Sequence, residues 1–143
     1  MMLSTKGRYG LKAIVDIALE YGNGLVSVTR LAEKQGVSEA YLEQLIASLK
    51  KAGLVSSVRG AAGGYTLARA PEDISVYEVL RALEKTTAIV DCVGTEGSGC
   101  KNACSCSARP LWLKLQGKID DVLRTTTVKD MADEYITQME RGL

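Results

Sequence analysis

The stretch from 27 to 68, "SVTRLAEKQGVSEAYLEQLIASLKKAGLVSSVRGAAGGYTLA", limits the possible folds more than any other part of the chain. Ser27 is placed to cap a short helix that turns Val28, Leu31 and Ala32 inward. Gly36 breaks that helix, and Ser38 opens the next. There Tyr41, Leu42, Leu45, Ile46 and Leu49 recur at helical spacing, and a basic last turn, "KKAG", closes on Gly53. Two helices on a glycine turn form a helix-turn-helix, a pattern that any pair of packed helices would also match. The next residues discriminate. "LVSSV" (54–58) and "GYTLA" (64–68) are β-prone runs joined by a basic, glycine-rich tip, "RGAAG" (59–63). A helix-turn-helix followed at once by a hairpin is the winged-helix arrangement. Its second helix enters the major groove of DNA, and the hairpin tip reaches the backbone or the minor groove.

The flanks fit around this unit. Residues 8–21 carry Leu11, Ile14, Val15, Ala18 and Leu19 at helical spacing, stopped by "GNG" at 22–24. Ser75 caps a helix with Val76, Val79, Leu80 and Leu83 on one face. Pro110 sits in the first turn of a longer helix. There Leu111, Leu115, Ile119 and Val122 form a stripe, flanked by Trp112 and Leu123 and broadened by Leu113. Gly117 inside that helix predicts that something packs closely against it, because glycine there costs about 1 kcal/mol against alanine. Thr126 or Thr127 caps a last, polar amphipathic helix. The 110–124 stripe needs a partner. A second copy of the chain fits better than the 8–21 helix, which the front half can bury itself. A two-fold dimer suits DNA half-sites about one helical turn apart, roughly 34 Å. The expected fold is mainly α with a small β-hairpin: a winged helix-turn-helix over 1–84, a cysteine-rich segment over 85–109, and a dimerisation helix with a C-terminal helix over 110–143.

Charge and composition agree. Residues 1–70 hold nine Lys and Arg against five Asp and Glu, whereas residues 71–143 hold nine against twelve, so the basic excess lies on the expected DNA-reading half. No apolar run is long enough to span a membrane, and the N-terminal residues lack the apolar segment of a signal peptide. A cytoplasmic protein with no membrane partner and no enzymatic site is expected.

All four cysteines, Cys92, Cys100, Cys104 and Cys106, lie in "DCVGTEGSGCKNACSCS", residues 91–107. In a reducing compartment such thiols are metal ligands or redox groups rather than structural disulfides. The C-x7-C-x3-C-x-C spacing offers one pair at zinc-knuckle distance and no C-x-x-C. The wide spacing and the glycines suit an iron–sulfur cluster, with zinc and metal-free redox thiols as the other readings. The chain has no histidine, so any further ligand of its own would be an oxygen donor.

"STKGRYGLKAIVDIAL", "SEAYLEQLIASLKKAGLVSSVRGAAGGYTLA" and the cysteine segment followed by "PLW" resemble the Rrf-type bacterial transcription regulators, and most closely their iron–sulfur cluster regulators. The resemblance covers roughly residues 2–125. It implies a homodimer on double-stranded promoter DNA, a winged helix-turn-helix, a long dimerisation helix and a 2Fe–2S cluster whose occupancy modulates site choice. It implies Cys92, Cys100 and Cys106 as ligands. The family's fourth ligand is a histidine three residues beyond the last cysteine, and here Arg109 stands there. Cys104 is the first alternative, followed by Asp91, Glu96 or a carboxylate of the other subunit. The nitric-oxide-sensing branch uses an aspartate where this chain has Arg8, and cysteine-sensing branches lack the cysteine segment.

For DNA the resemblance points to Ser38, Tyr41, Glu43, Gln44 and Arg59. The chemistry is compatible: Gln pairs with adenine, Glu accepts from cytosine, and Arg suits a narrow minor groove. Glu43 is implied to separate two classes of site. Lys6, Arg8 and Lys50 are further phosphate contacts. The function implied is transcriptional control of iron–sulfur cluster biogenesis. The alternatives are an iron–sulfur carrier or electron-transfer protein, and a nitric-oxide- or redox-sensing repressor of the same family.

Overall fold

A computed structural model describes residues 3–93 and 106–142. Six α-helices and one hairpin make up the described chain: α1 (Thr5–Leu19), α2 (Val28–Gln35), α3 (Glu39–Lys51), β1 (Val55–Val58), β2 (Gly64–Leu67), α4 (Val76–Leu83), α5 (Arg109–Thr125) and α6 (Val128–Glu140). The fold is mainly α with a winged helix-turn-helix and a long C-terminal helix.

Most helix starts are set by one hydroxyl each. Ser4, Ser27, Ser38, Ser75 and Thr127 accept from the third backbone N–H of α1, α2, α3, α4 and α6 respectively. At α4 and α6 the cap is reciprocal, with Glu78 and Asp130 reaching back to the capping residue's own N–H. Ser4 starts α1 three residues earlier than the 8–21 pattern predicts. The α2–α3 turn depends on Gly36 at φ +68°, a conformation disfavoured for residues with a Cβ.

α1 is the central strut. It touches α3, α4, α6 and β2, so it is buried on more than the single face that periodicity predicts: Ala13, Ile14, Val15, Ile17 and Ala18 are all buried. Leu31, Leu42, Ile46, Leu49, Leu54, Ile74 and Val79 complete the core. Each such aliphatic side chain contributes about 1.5–3 kcal/mol on burial. Val128 and Ala132 of α6 belong to the same core, so the chain returns to the winged-helix body after α5. A one-residue bridge, Ser75 to Thr127, pins that return.

The wing pairs Val55 with Leu67 and Val58 with Gly64 in antiparallel register. A further bridge, Val26 to Tyr65, adds a third short segment to it.

α5 packs chiefly on α4 and the 3-10 turn Asp91–Val93 among the described residues. Its apolar stripe remains uncovered in one protomer: Leu111 is 52%, Leu115 41% and Val122 62% exposed. The expectation of close packing at Gly117 is not met within the protomer. A Cβ placed there finds no atom within 4 Å among the described residues. Gly117 lies one residue beyond Gln116, the α5 residue that faces inward, and the helix has turned its next position toward solvent.

Candidate DNA-binding face and cysteine segment

α3 divides cleanly into two faces. Leu42, Leu45, Ile46 and Leu49 are buried against the core, which leaves Glu43, Gln44 and Ala47 exposed. Glu43 and Gln44 thus stand on the outer face of the second helix of the helix-turn-helix, where a major groove would receive them. Ser38 is exposed at the N-terminal end of this helix. Its oxygen accepts from the Tyr41 N–H at 3.1 Å, a bond that does not use its own O–H. Tyr41 is half-buried. Its ring meets Tyr9 of α1 edge-on at 6.2 Å between centroids, and its hydroxyl is buried without a partner among the described residues. That placement makes Tyr41 a packing residue in the free protomer.

The wing tip presents Arg59 to solvent. Gly60 takes φ +114°, and a Cβ at Gly63 would collide with the Val58 carbonyl, so the tight turn that exposes Arg59 requires glycine at both positions. Lys50 Nζ donates to Ser57 Oγ at 2.7 Å and fastens the end of α3 to the wing. Lys6 is exposed on α1. Arg8 lines an open cleft of about 610 Å³ between α1, α2 and α6, together with Leu11, Lys34 and Tyr135.

On the cysteine side, Cys92 and Cys106 are half-buried and carry free thiols. Cys100, Cys104 and Glu96 lie outside the described residues. Arg109 joins the two described cysteines. Its guanidinium donates to the Cys92 carbonyl at 3.0 Å, and its backbone N–H donates to the Cys106 carbonyl at 3.4 Å. Among the described residues no three His, Cys, Asp or Glu side chains converge as a metal site.

The segment leading to Cys92 is held by side chains rather than by regular structure. Gln116 of α5 is buried. Its Nε2 donates to the Thr87 carbonyl at 3.1 Å and to Asp120, and its Oε1 accepts the Ile89 N–H at 2.7 Å. A buried amide that satisfies an irregular backbone on both its donor and acceptor sides is costly to replace. One turn earlier, the Glu84 carboxylate accepts from Ser4 at the start of α1. Arg124 of α5 lies over the Tyr77 ring of α4 at 4.2 Å.

Neither Arg109 nor Gln116 was singled out by sequence for these roles, yet each left a trace. Arg109 is a cation at the positive end of a helix whose first turn has no acid, an arrangement that calls for a carbonyl partner. Gln116 is a polar residue directly after Leu111, Leu113 and Leu115.

The family model described as "Rrf2: Iron-dependent Transcriptional regulator" matches residues 3–134. The HTH-type transcriptional regulator IscR of Aliivibrio salmonicida is 39% identical over 97% of this chain and 82% of its own length. Among solved structures, T. potens IscR superimposes with a TM-score of 0.76 at 44% identity, covering 94% of this chain and 88% of that one. CymR, the global cysteine regulator of B. subtilis, superimposes with a TM-score of 0.80 at 36% identity, covering 94% and 98%. Among the described residues no helix is long and apolar enough to cross a membrane.

Proposed function

Since the chain belongs to the Rrf2 family of helix-turn-helix transcriptional regulators, which act on double-stranded DNA as homodimers, we propose that it senses iron–sulfur cluster supply and controls genes for cluster biogenesis. One observation carries this reading. Four thiols share one segment, and the two outer ones, Cys92 and Cys106, are unpaired and tied to the same residue, Arg109.

The donor set fits a 2Fe–2S cluster. Thiolates are the preferred ligands of cluster iron, and the chain has no histidine to favour a mixed zinc site. Cys92, Cys100 and Cys106 would hold the cluster, with Cys104 as the fourth ligand because Arg109 cannot be one. When bound, the cluster supplies a centre whose occupancy follows iron and sulfide availability. The chain's own residues then connect that centre to DNA. Gln116 and Glu84 hold the 84–92 segment to α5 and to α1, and α1 carries α3 on its surface. Ser38, Glu43 and Gln44 on α3 read the major groove and Arg59 the neighbouring minor groove; Tyr41 supports them from the helix interface.

The likeness to CymR favours a second reading, a regulator of cysteine metabolism, and the four-thiol segment weighs against it. Anaerobic purification with iron and sulfide quantitation and a visible spectrum tests the proposal. About two iron and two sulfide per protomer with thiolate-to-iron absorbance is the expected result. Stoichiometric zinc without sulfide, or no metal at all, would reject it.

A further inference from the structure

Arg109 stands where the resemblance places a histidine ligand, and a guanidinium has no lone pair to offer iron. Its observed bonds give it another task. The Cys92 carbonyl lies 3.0 Å from Nη1, and the Cys106 carbonyl lies 3.4 Å from the residue's own backbone nitrogen. Both ends of the cysteine segment therefore converge on the first residue of α5. We propose that Arg109 is a positioning residue for the ligand set, fastening Cys92 and Cys106 at one place before any metal arrives.

The physical reason is entropic. Bringing together the ends of a chain segment this long costs loop-closure entropy, which a metal centre must otherwise supply from its own binding energy. A charge-assisted bond from a planar donor offsets that cost in the folded apoprotein. Residues that orient metal ligands from outside the coordination shell typically change metal retention about 10- to 100-fold.

This inference rests on reading the segment as a cluster site, so its test has one arm that needs no cluster. In the full chain carrying Cys100→Ser and Cys104→Ser, diamide drives formation of a Cys92–Cys106 disulfide, followed by mass spectrometry. Arg109→Met, which keeps the stem and loses the donors, is expected to slow that reaction about tenfold, the equivalent of one charge-assisted hydrogen bond. Arg109→Lys, which keeps the charge and one donor group, is expected to recover most of the rate. Equal rates for all three overturn the proposal.

In the second arm, the four-cysteine protein is loaded anaerobically and iron release to ferrozine is timed. Arg109→Met is expected to release iron about tenfold faster than the parent, with Arg109→Lys between them. An unchanged half-life overturns the proposal. If the parent takes up no cluster, the functional reading falls and the disulfide arm alone decides on Arg109. Should Arg109→Met lose its cooperative melt, Arg109→Gln, too short to reach the Cys92 carbonyl, takes its place with the same two readings.

Discussion

The Glu84 carboxylate accepts two hydrogen bonds from Ser4, one from its backbone N–H and one from its hydroxyl, each at 2.8 Å. The same Ser4 oxygen accepts the Gly7 N–H and so caps α1. One side chain just beyond α4 thereby fixes the start of the central helix, eight residues before Cys92. The approach is close enough that a Cβ on Gly7 would collide with the Glu84 carboxylate.

An alanine at position 7 must push the Glu84 carboxylate off Ser4, so Gly7→Ala should forfeit most of the roughly 1 kcal/mol that alanine gains as the better helix former. In a Glu84→Ala background the collision is gone, and Gly7→Ala should become neutral or stabilising. Urea unfolding of the four members of this cycle measures the coupling, expected at about 1–3 kcal/mol. Additive effects would contradict the contact.

The uncovered stripe of α5 predicts its own disruption. Leu115→Asp places a charge in the centre of the surface that two copies would bury. Sedimentation should show a shift from dimer to monomer, with helical circular dichroism retained because Leu115 lies outside the core of the protomer. A dimer unchanged by this substitution would place the interface elsewhere.

On α3, Gln44→Ala should cost about 1–3 kcal/mol at a single base position. Glu43→Ala should instead flatten the discrimination between two classes of operator, because an exposed carboxylate penalises sites that offer no cytosine amino group. Fluorescence anisotropy against both classes distinguishes these outcomes, and an unchanged ratio for Glu43→Ala would remove it from specificity.

Glu78 predicts a pH dependence. Partial burial pushes its carboxyl up, but the Arg69 guanidinium at 2.8 Å and the Ser75 cap outweigh burial and hold it below its usual 4.5. A lowered folded value means stability that is fully present above about pH 4.5, the unfolded value, and lost as pH falls through the lower folded value. Glu78→Gln should thus melt lower than the parent at pH 7, by less than about 1 kcal/mol because the pair is partly exposed. The two proteins should converge below the folded value of Glu78, and a gap that persists into strong acid would assign the effect to the neutral cap alone.

What could be read from sequence depended on the range of the interaction. The caps at Ser27, Ser38 and Ser75 and the break at Gly36 are local, decided within four residues, and the structure matches them. The pair Ser4–Glu84 spans 80 positions and leaves no local mark; the early start of α1 is a local cap at Ser4 that the apolar periodicity from residue 8 does not reach. The burial of Ile17 was missed for a related reason. Periodicity describes one apolar face, whereas α1 is packed from several sides. In the cysteine segment the thiols and the anomaly at Arg109 stood out, but the carbonyl that Arg109 would find depended on how the chain folds back from α4 to α5.

The central claim is that cluster occupancy on the 92–106 segment changes how the winged helix chooses DNA. The most direct measurement is the ratio of dissociation constants for two operator classes, one of them from a cluster-biogenesis promoter, taken with loaded and with chelator-stripped protein at the same salt. The account predicts that the ratio changes by about fivefold or more, a coupling of about 1 kcal/mol. An identical ratio in the two states would contradict it.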